Sequence, residues 1–392
     1  MLIFCFYVLA PSFEQIQKFT GNAGVAIYVI LGIAAMYCLR KYFLLPLDKM
    51  LTRKTAWVLA ISAFALICVL FIAIYPYANA GFRLGGKIIG GRGDRDDAIN
   101  LAVRAMLHGL YPYHEQLFTG NPITPLPGAF ILGAPFVVVF GNSAYQNLFW
   151  LAAFFVVLNR FIFKNTVQSF LFLAVLFVLS PVLMQEIVSG SDFISNTIYI
   201  FIFSLLFIHY TSEEGGSTFI KIAVSVALGL MFSSRVTFTL IFPVIAVYVS
   251  RRAGIRSALL YGLVVIITFA LITLPFYFAD PSGFTPLTVY AKAGKFEDTV
   301  PYAGLIIVIM SVCIAVVAAI YKPPENIRAL CKRCAITQMF PVFGTIVVSM
   351  IGNGNFSLKY YGGYAVAFML FGAVGYWQEF AGISKFAEAR SA

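Results

Sequence analysis

The feature that most limits this chain is the recurrence of long apolar stretches. They fall near 24–39, 57–75, 146–161, 167–184, 194–209, 219–234, 236–250, 257–274, 304–320, 335–351 and 361–378. A bilayer core about 30 Å thick takes about 20 residues of helix to cross, and only helices or closed barrels satisfy every backbone group inside it. The pattern predicts an all-α polytopic membrane protein of about 11–12 transmembrane helices. It forms one membrane-embedded domain over 1–392, with no separate soluble domain. Composition agrees: 61% of residues are hydrophobic and 11% charged, against about 45–50% and about 25% in soluble domains. A water-soluble globule and a disordered chain are both excluded. The six cysteines are scattered, and the lone pair Cys331 and Cys334 is half of what a zinc site needs. Met1–Ala10 is apolar but has no basic flank, so no cleavable signal peptide is expected.

One further apolar run, Gly128–Phe140, lies between Pro127 and Gly141. A run of about 10–14 apolar residues reads as re-entrant or interfacial rather than spanning, and charge parity tests that reading. Arg40–Thr55 holds five basic residues and is placed inside. If 128–140 does not span, the inside holds 17 basic and 6 acidic residues and the outside 10 of each. That distribution obeys the positive-inside rule, and the opposite choice moves Arg251, Arg252, Arg256, Lys322, Arg328, Lys332 and Arg333 outside. The excess of 27 Lys+Arg over 16 Asp+Glu therefore reads as topology rather than as a nucleic-acid surface. The outer face collects the long first loop with its juxtamembrane segments (76–145), Glu186, Asp192, Arg235, the loop 275–303 and the turn 353–361.

Within that first loop, Gly90, Gly91 and Gly93 precede Asp94, Arg95, Asp96 and Asp97. Residues 98–108 then have the apolar spacing of an amphipathic helix suited to a membrane interface. Asp97 falls at its positive end, and Gly109 stops it. Asp96 and Asp97 either cap a surface helix or form, with Asp94, a group of carboxylates whose mutual repulsion raises their proton affinity. The second arrangement suits a general base at the membrane face.

The run from Asp96-Asp97 through Gly109-Leu-Tyr111-Pro112-Tyr113, followed by Pro122, Pro125, Pro127 and a short apolar helix ending at Phe140-Gly141, resembles the first extracytoplasmic loop of GT-C type integral-membrane glycosyltransferases. These enzymes use polyprenyl-phosphate sugars, and the mannosyl- and arabinosyltransferases are among them. The resemblance is close over about fifty residues and elsewhere is one of layout. It departs from the family pattern at Asp97, where Glu is frequent, and at Asn100, where an aromatic residue is frequent. It implies a loop carboxylate as catalytic base, here Asp96 or Asp97 with Asp94 third. It also implies a polyprenyl-phosphate sugar as donor, a hydroxyl acceptor on a glycan, lipid or protein, inversion at the anomeric carbon, and an active site facing the periplasm or exterior of an inner or plasma membrane.

Other outer-face residues each have two readings. Arg235, between two apolar runs, is a ligand of the lipid phosphate or an arginine snorkelling to the interface. Lys359, beside Tyr360 and Tyr361, binds phosphate or anchors the interface. Asp192 orients a sugar hydroxyl or caps the helix that follows. Tyr111, Tyr113 and His114 line the sugar or lipid site or belong to the interfacial belt. No metal constellation stands out, and participation of a divalent cation is left open. The alternative from another class is a transporter or flippase of a lipid-linked saccharide, which predicts charges at mid-membrane and internal repeats.

Overall fold

Runs of Leu, Ile, Val, Ala and Phe without water can pair their backbone groups only within helices, and the chain folds accordingly. The computed structural model describes residues 1–80, 82–84, 87–89, 94–212, 217–288, 300–354, 358 and 362–382. In chain order the helices are α1 (Leu2–Leu9), α2 (Phe13–Cys38), α3 (Leu45–Met50), α4 (Arg53–Ala80), α5 (Arg95–Leu107), α6 (Pro127–Phe140), α7 (Gln146–Val157) and α8 (Thr166–Leu179). They continue as α9 (Pro181–Val188), α10 (Asp192–Ser212), α11 (Thr218–Phe232), α12 (Phe242–Ala253), α13 (Ile255–Ala279), α14 (Ala303–Ile320), α15 (Ile327–Asn353) and α16 (Ala365–Ala381). Two short strands, β1 (Phe82–Leu84) and β2 (Lys87–Ile89), pair antiparallel after α4.

Eight helical stretches among the described residues are long and apolar enough to cross a membrane, or nine if a bent pair is one span. The protein is an all-α, multi-pass membrane protein; the full-length spans among the described residues are fewer than the 11–12 expected for the chain. The shortfall has local causes. The run 167–184 breaks into α8 and α9, bent by 88°, because Pro181 excludes helical geometry from the residue before it. The run 219–234 becomes the 15-residue α11. The run 361–378 becomes the 17-residue α16, with Gln378 and Glu379 in its last turn. That helix lies inside the bundle, where Phe4 of α1 stacks on Phe380 with ring centroids 4.2 Å apart.

The 14-residue α6 is about 21 Å long at 1.5 Å per residue, too short for a core of about 30 Å. Gly141, at φ +77°, ends it. Helix α5 covers the predicted amphipathic segment and stops at Gly109, whose φ is +71°. Part of its apolar face packs within the protein. Ile99, Ala102 and Val103 pack with Phe130, Val137, Tyr113 and Phe284 in a small core separate from that of the bundle.

Chain direction sorts the ends of the spans. Tyr75 at the end of α4, the start of α10, Arg235 ahead of the stretch Val236–Ala253, and Asp280 after α13 come together with α5 and α6. Arg251 and Arg252 lie at the far end of that same 18-residue stretch, beside the turn that starts α15.

Candidate functional site

A charged side chain withdrawn from water is costly unless it is paired. Among the described residues the buried charged side chains are Asp96, Glu186, Asp192 and Arg235, and contacts link all four into one cluster at the α5–α6 end of the bundle.

Two ion pairs form its frame. Arg235 donates from Nη2 to Asp192 Oδ2 at 2.6 Å and from Nε to the same oxygen at 3.2 Å. Arg95 donates from Nη1 to Glu186 Oε2 at 2.9 Å and to Ser191 Oγ at 3.0 Å. Phe193 joins the pairs. The Arg95 guanidinium carbon is 4.3 Å and that of Arg235 4.2 Å from its ring centroid. Such contacts are favourable, more so away from water. Tyr364, at the start of α16, packs against the same ring at 4.4 Å.

The backbone that presents these groups is tightly constrained. Gly190 adopts φ +71°, and a Cβ there would lie 2.6 Å from Tyr75 Cε2 and 2.7 Å from Ala144 Cβ. Only glycine suits both the torsion and the space. Ser191 accepts the Phe193 N–H at 3.4 Å, so the capping role expected of Asp192 falls to Ser191. Asp192 is left to serve Arg235 and Asn196, whose Nδ2 donates to Oδ2 at 2.8 Å. Its Oδ1 is buried without a hydrogen-bond partner among the described residues. The Arg235 turn is held from the other side: the N–H groups of Leu126 and Gly128 donate to the carbonyls of Ser234 and Ser233 at 2.9 and 2.7 Å. A Cβ on Gly128 would lie 2.5 Å from the carbonyl oxygens of Leu230 and Ser233. The N-terminus of α6 is thereby docked on the segment that carries Arg235.

The loop acids separate by environment. Asp96 is fully buried, accepts a hydrogen bond from the Tyr75 hydroxyl, and lies 3.4 Å (Cγ) from a Cβ built on Gly190. Tyr75 in turn accepts from Asn142 Nδ2 at 2.6 Å. Asp94 occupies the N-cap position of α5 without a side-chain capping bond. It accepts instead from Thr119 Oγ1 at 2.8 Å and Asn121 Nδ2 at 3.0 Å. Asp97 is half-buried, and burial followed by the charge of Asp94 raises its proton affinity above that of an ordinary Asp.

Of the residues predicted for the site, Asp96, Asp192 and Arg235 thus come together. Tyr111, Tyr113 and His114 belong to another contact set. The Tyr113 hydroxyl donates to Pro125 O at 2.9 Å inside the small core, and that of Tyr111 to Phe276 O at 2.8 Å. His114 Nε2 lies 2.8 Å from Asp280 Oδ2. These three side chains fasten the loop to the end of α13. Lys359 lies outside the described residues. Tyr75, Phe193 and Tyr364 escaped the sequence reading. An aromatic residue directly after Asp192, in a turn opened by Gly190, is the one signal that marked Phe193. No group of three or more His, Cys, Asp or Glu side chains suited to a metal ion occurs among the described residues.

The His114–Asp280 contact carries a pH prediction. Hydrogen bonds from His114, from Ser282 Oγ and from the Gly283 N–H hold the Asp280 carboxyl well below the usual carboxylate range. Because its folded-state proton affinity is depressed, Asp280 contributes stability above the unfolded pKa and loses it as pH falls through the folded one. Asp280→Asn is therefore expected to lower the unfolding midpoint at neutral pH. The gap to wild type should close only below the ordinary carboxylate range. A midpoint difference independent of pH would show that the carboxylate charge does not matter there.

The chain was compared with known protein families, curated proteins and solved structures, and none of them matches it.

Proposed function

We propose that this protein is a membrane glycosyltransferase that moves a sugar from a polyprenyl-phosphate donor to a hydroxyl acceptor on the extracytoplasmic face. The observation that carries the reading is the gathering of the buried charges beside the loop acids. A group of titratable side chains held out of water at one end of a membrane bundle is where catalysis by proton transfer is best supported. A carrier instead needs charges near mid-membrane, where the described residues place none that are buried outside this cluster.

In this reading Asp96 is the general base. An alcohol attacks well only when a positioned base takes its proton, and Asp96 is the loop acid adjoining the 190–193 turn. Tyr75 fixes its carboxylate. Asp97 and Asp94 keep the entrance acidic. Asp192, through its unpaired Oδ1, accepts a hydrogen bond from a sugar hydroxyl. Arg235 has an Nη1 group with no hydrogen-bond partner among the described residues, and this faces the phosphate of the leaving lipid. Attack of the acceptor oxygen on the anomeric carbon forms the new glycosidic bond as the bond to the phosphate oxygen breaks. The acceptor proton passes to the carboxylate, and the polyprenyl phosphate departs with the electron pair. Phe193, held between the two guanidiniums, fixes the distance from Arg235 to the acid cluster.

The test is incubation of the purified protein with a panel of polyprenyl-phosphate sugars, following unfolding midpoint and sugar transfer. A bound donor must raise stability by mass action. Stabilisation by one or more sugar-bearing lipids, but not by the polyprenol alone, is expected. Indifference to every polyprenyl phosphate would remove the donor assignment.

The topology has its own check. A reporter fused after Gly141 is expected to read out as extracytoplasmic, because α6 enters and leaves on the same side. Cytoplasmic readout there would place the acids and Arg235 on the wrong face for a lipid-linked donor outside.

A further inference from the structure

At the opposite end of the bundle a cavity of about 390 Å³ opens where the end of α12, the turn after α14 and the first turns of α15 meet. Arg251, Lys322 and Arg333 line it, together with Pro323, Glu325 and Asn326. Three separate stretches of chain thus supply one cation each to a single concavity of the size that binds small molecules.

The turn itself is fixed by other bonds. Arg252 Nη2 donates to the Glu325 carbonyl at 2.7 Å, and Arg333 Nη2 to the Lys322 carbonyl at 3.1 Å. Pro324 is buried beneath it. The side chains of Arg251 and Lys322 are exposed and make no hydrogen bond or ion pair with the described residues; the Lys322 ammonium lies 5.7 Å from the centroid of the Tyr321 ring. Glu325, the one carboxylate in the lining, pairs with none of the three cations. Topology alone asks for basic residues at this end of the bundle; it does not ask that three of them face one cavity against a single carboxylate. Cations crowded on a concave wall repel one another and focus a positive potential into it. A compact anion relieves that cost. Guanidinium and ammonium donors together match the oxygens of a phosphate.

We propose that this cavity binds a phosphate-bearing anion, either the headgroup of an anionic lipid or free phosphate. The spans 236–253 and 303–320 end beside it, which sets it at the level of lipid headgroups, on the face that the charge bias assigns to the cytoplasm. It lies at the other end of α12 from Arg235 and is independent of the proposed transfer reaction.

The experiment uses the full-length protein in an uncharged detergent, with the unfolding midpoint as readout. The probes are inorganic phosphate, short-chain phosphatidic acid and phosphatidylcholine with the same chains. A rise of about 2 °C or more with phosphatidic acid beyond that with phosphatidylcholine identifies a lipid headgroup. The same rise with inorganic phosphate alone identifies the free anion. Arg251→Gln/Lys322→Gln, at two exposed positions, should abolish the response, and Glu325→Gln should enlarge it. The proposal is overturned if no phosphate compound acts beyond phosphatidylcholine, or if the double variant responds as wild type does.

Discussion

Asp96→Asn is expected to cut the rate of sugar transfer by about 10²–10⁴-fold, the range that general-base catalysis supplies, while leaving donor affinity near that of wild type. The amide keeps an oxygen able to accept the Tyr75 hydroxyl, so the Asn142–Tyr75 chain of hydrogen bonds survives and the fold is little disturbed. What the amide cannot do is take a proton. The loss should therefore appear in kcat and not in KM, which separates a base from a residue that merely binds substrate. Asp97→Asn is expected to cost less than about tenfold, because that side chain diverges from the 190–193 turn as the next residue along a helix must. If Asp97→Asn is inactive and Asp96→Asn active, the base is Asp97. If both retain full activity, neither Asp96 nor Asp97 is the base.

The parts of the fold visible in the sequence are those governed by local rules. Apolar length marks the spans, Gly109 and Gly141 mark the ends of α5 and α6, and the shortness of 128–140 marks a helix below the length of a span. What escaped were distinctions that depend on neighbours. Hydropathy could not tell that α16 is an inner helix or that Pro181 folds one apparent span into two helices, because both read as uninterrupted apolar sequence. The amphipathic face of α5 was visible, but its partner was not: lipid and α6 are equally apolar. The same holds for the site. Asp96, Asp192 and Arg235 stood out because ionisable residues are rare in such a chain. That Ser191 caps α10 and releases Asp192 to Arg235 depends on the turn at Gly190. The stacking of two arginines on Phe193 joins residues from three distant segments, and no spacing rule reports it. Tyr111, Tyr113 and His114 were conspicuous for their chemistry, yet the Tyr111 hydroxyl and the His114 ring are occupied in closing the loop onto the end of α13, and the Tyr113 hydroxyl in bonding Pro125 within the loop.

Removing one half of the Arg235–Asp192 pair is expected to be the most damaging single change to stability. Arg235→Met leaves a carboxylate with no exposed surface and no cation, which costs about 3–5 kcal/mol. Asp192→Leu strands the Arg235 guanidinium in the same way. The two changes should not add. Replacing a buried pair by apolar groups of similar volume is often close to neutral, so Asp192→Leu/Arg235→Met should regain most of the stability lost by either single variant. The residual deficit should reflect the Asn196 amide, which loses its acceptor at Oδ2, and the cation withdrawn from the face of Phe193. The double variant then separates architecture from chemistry. It should fold, insert and keep the Arg95–Glu186 pair, yet bind a polyprenyl-phosphate sugar weakly and transfer nothing, since both the phosphate ligand and the free oxygen of Asp192 are gone. A double variant that is stable and still transfers sugar would show that the pair is only a brace between α10 and the turn before α12. One as unstable as the sum of its parents would show that the site depends on the charges themselves to hold its shape.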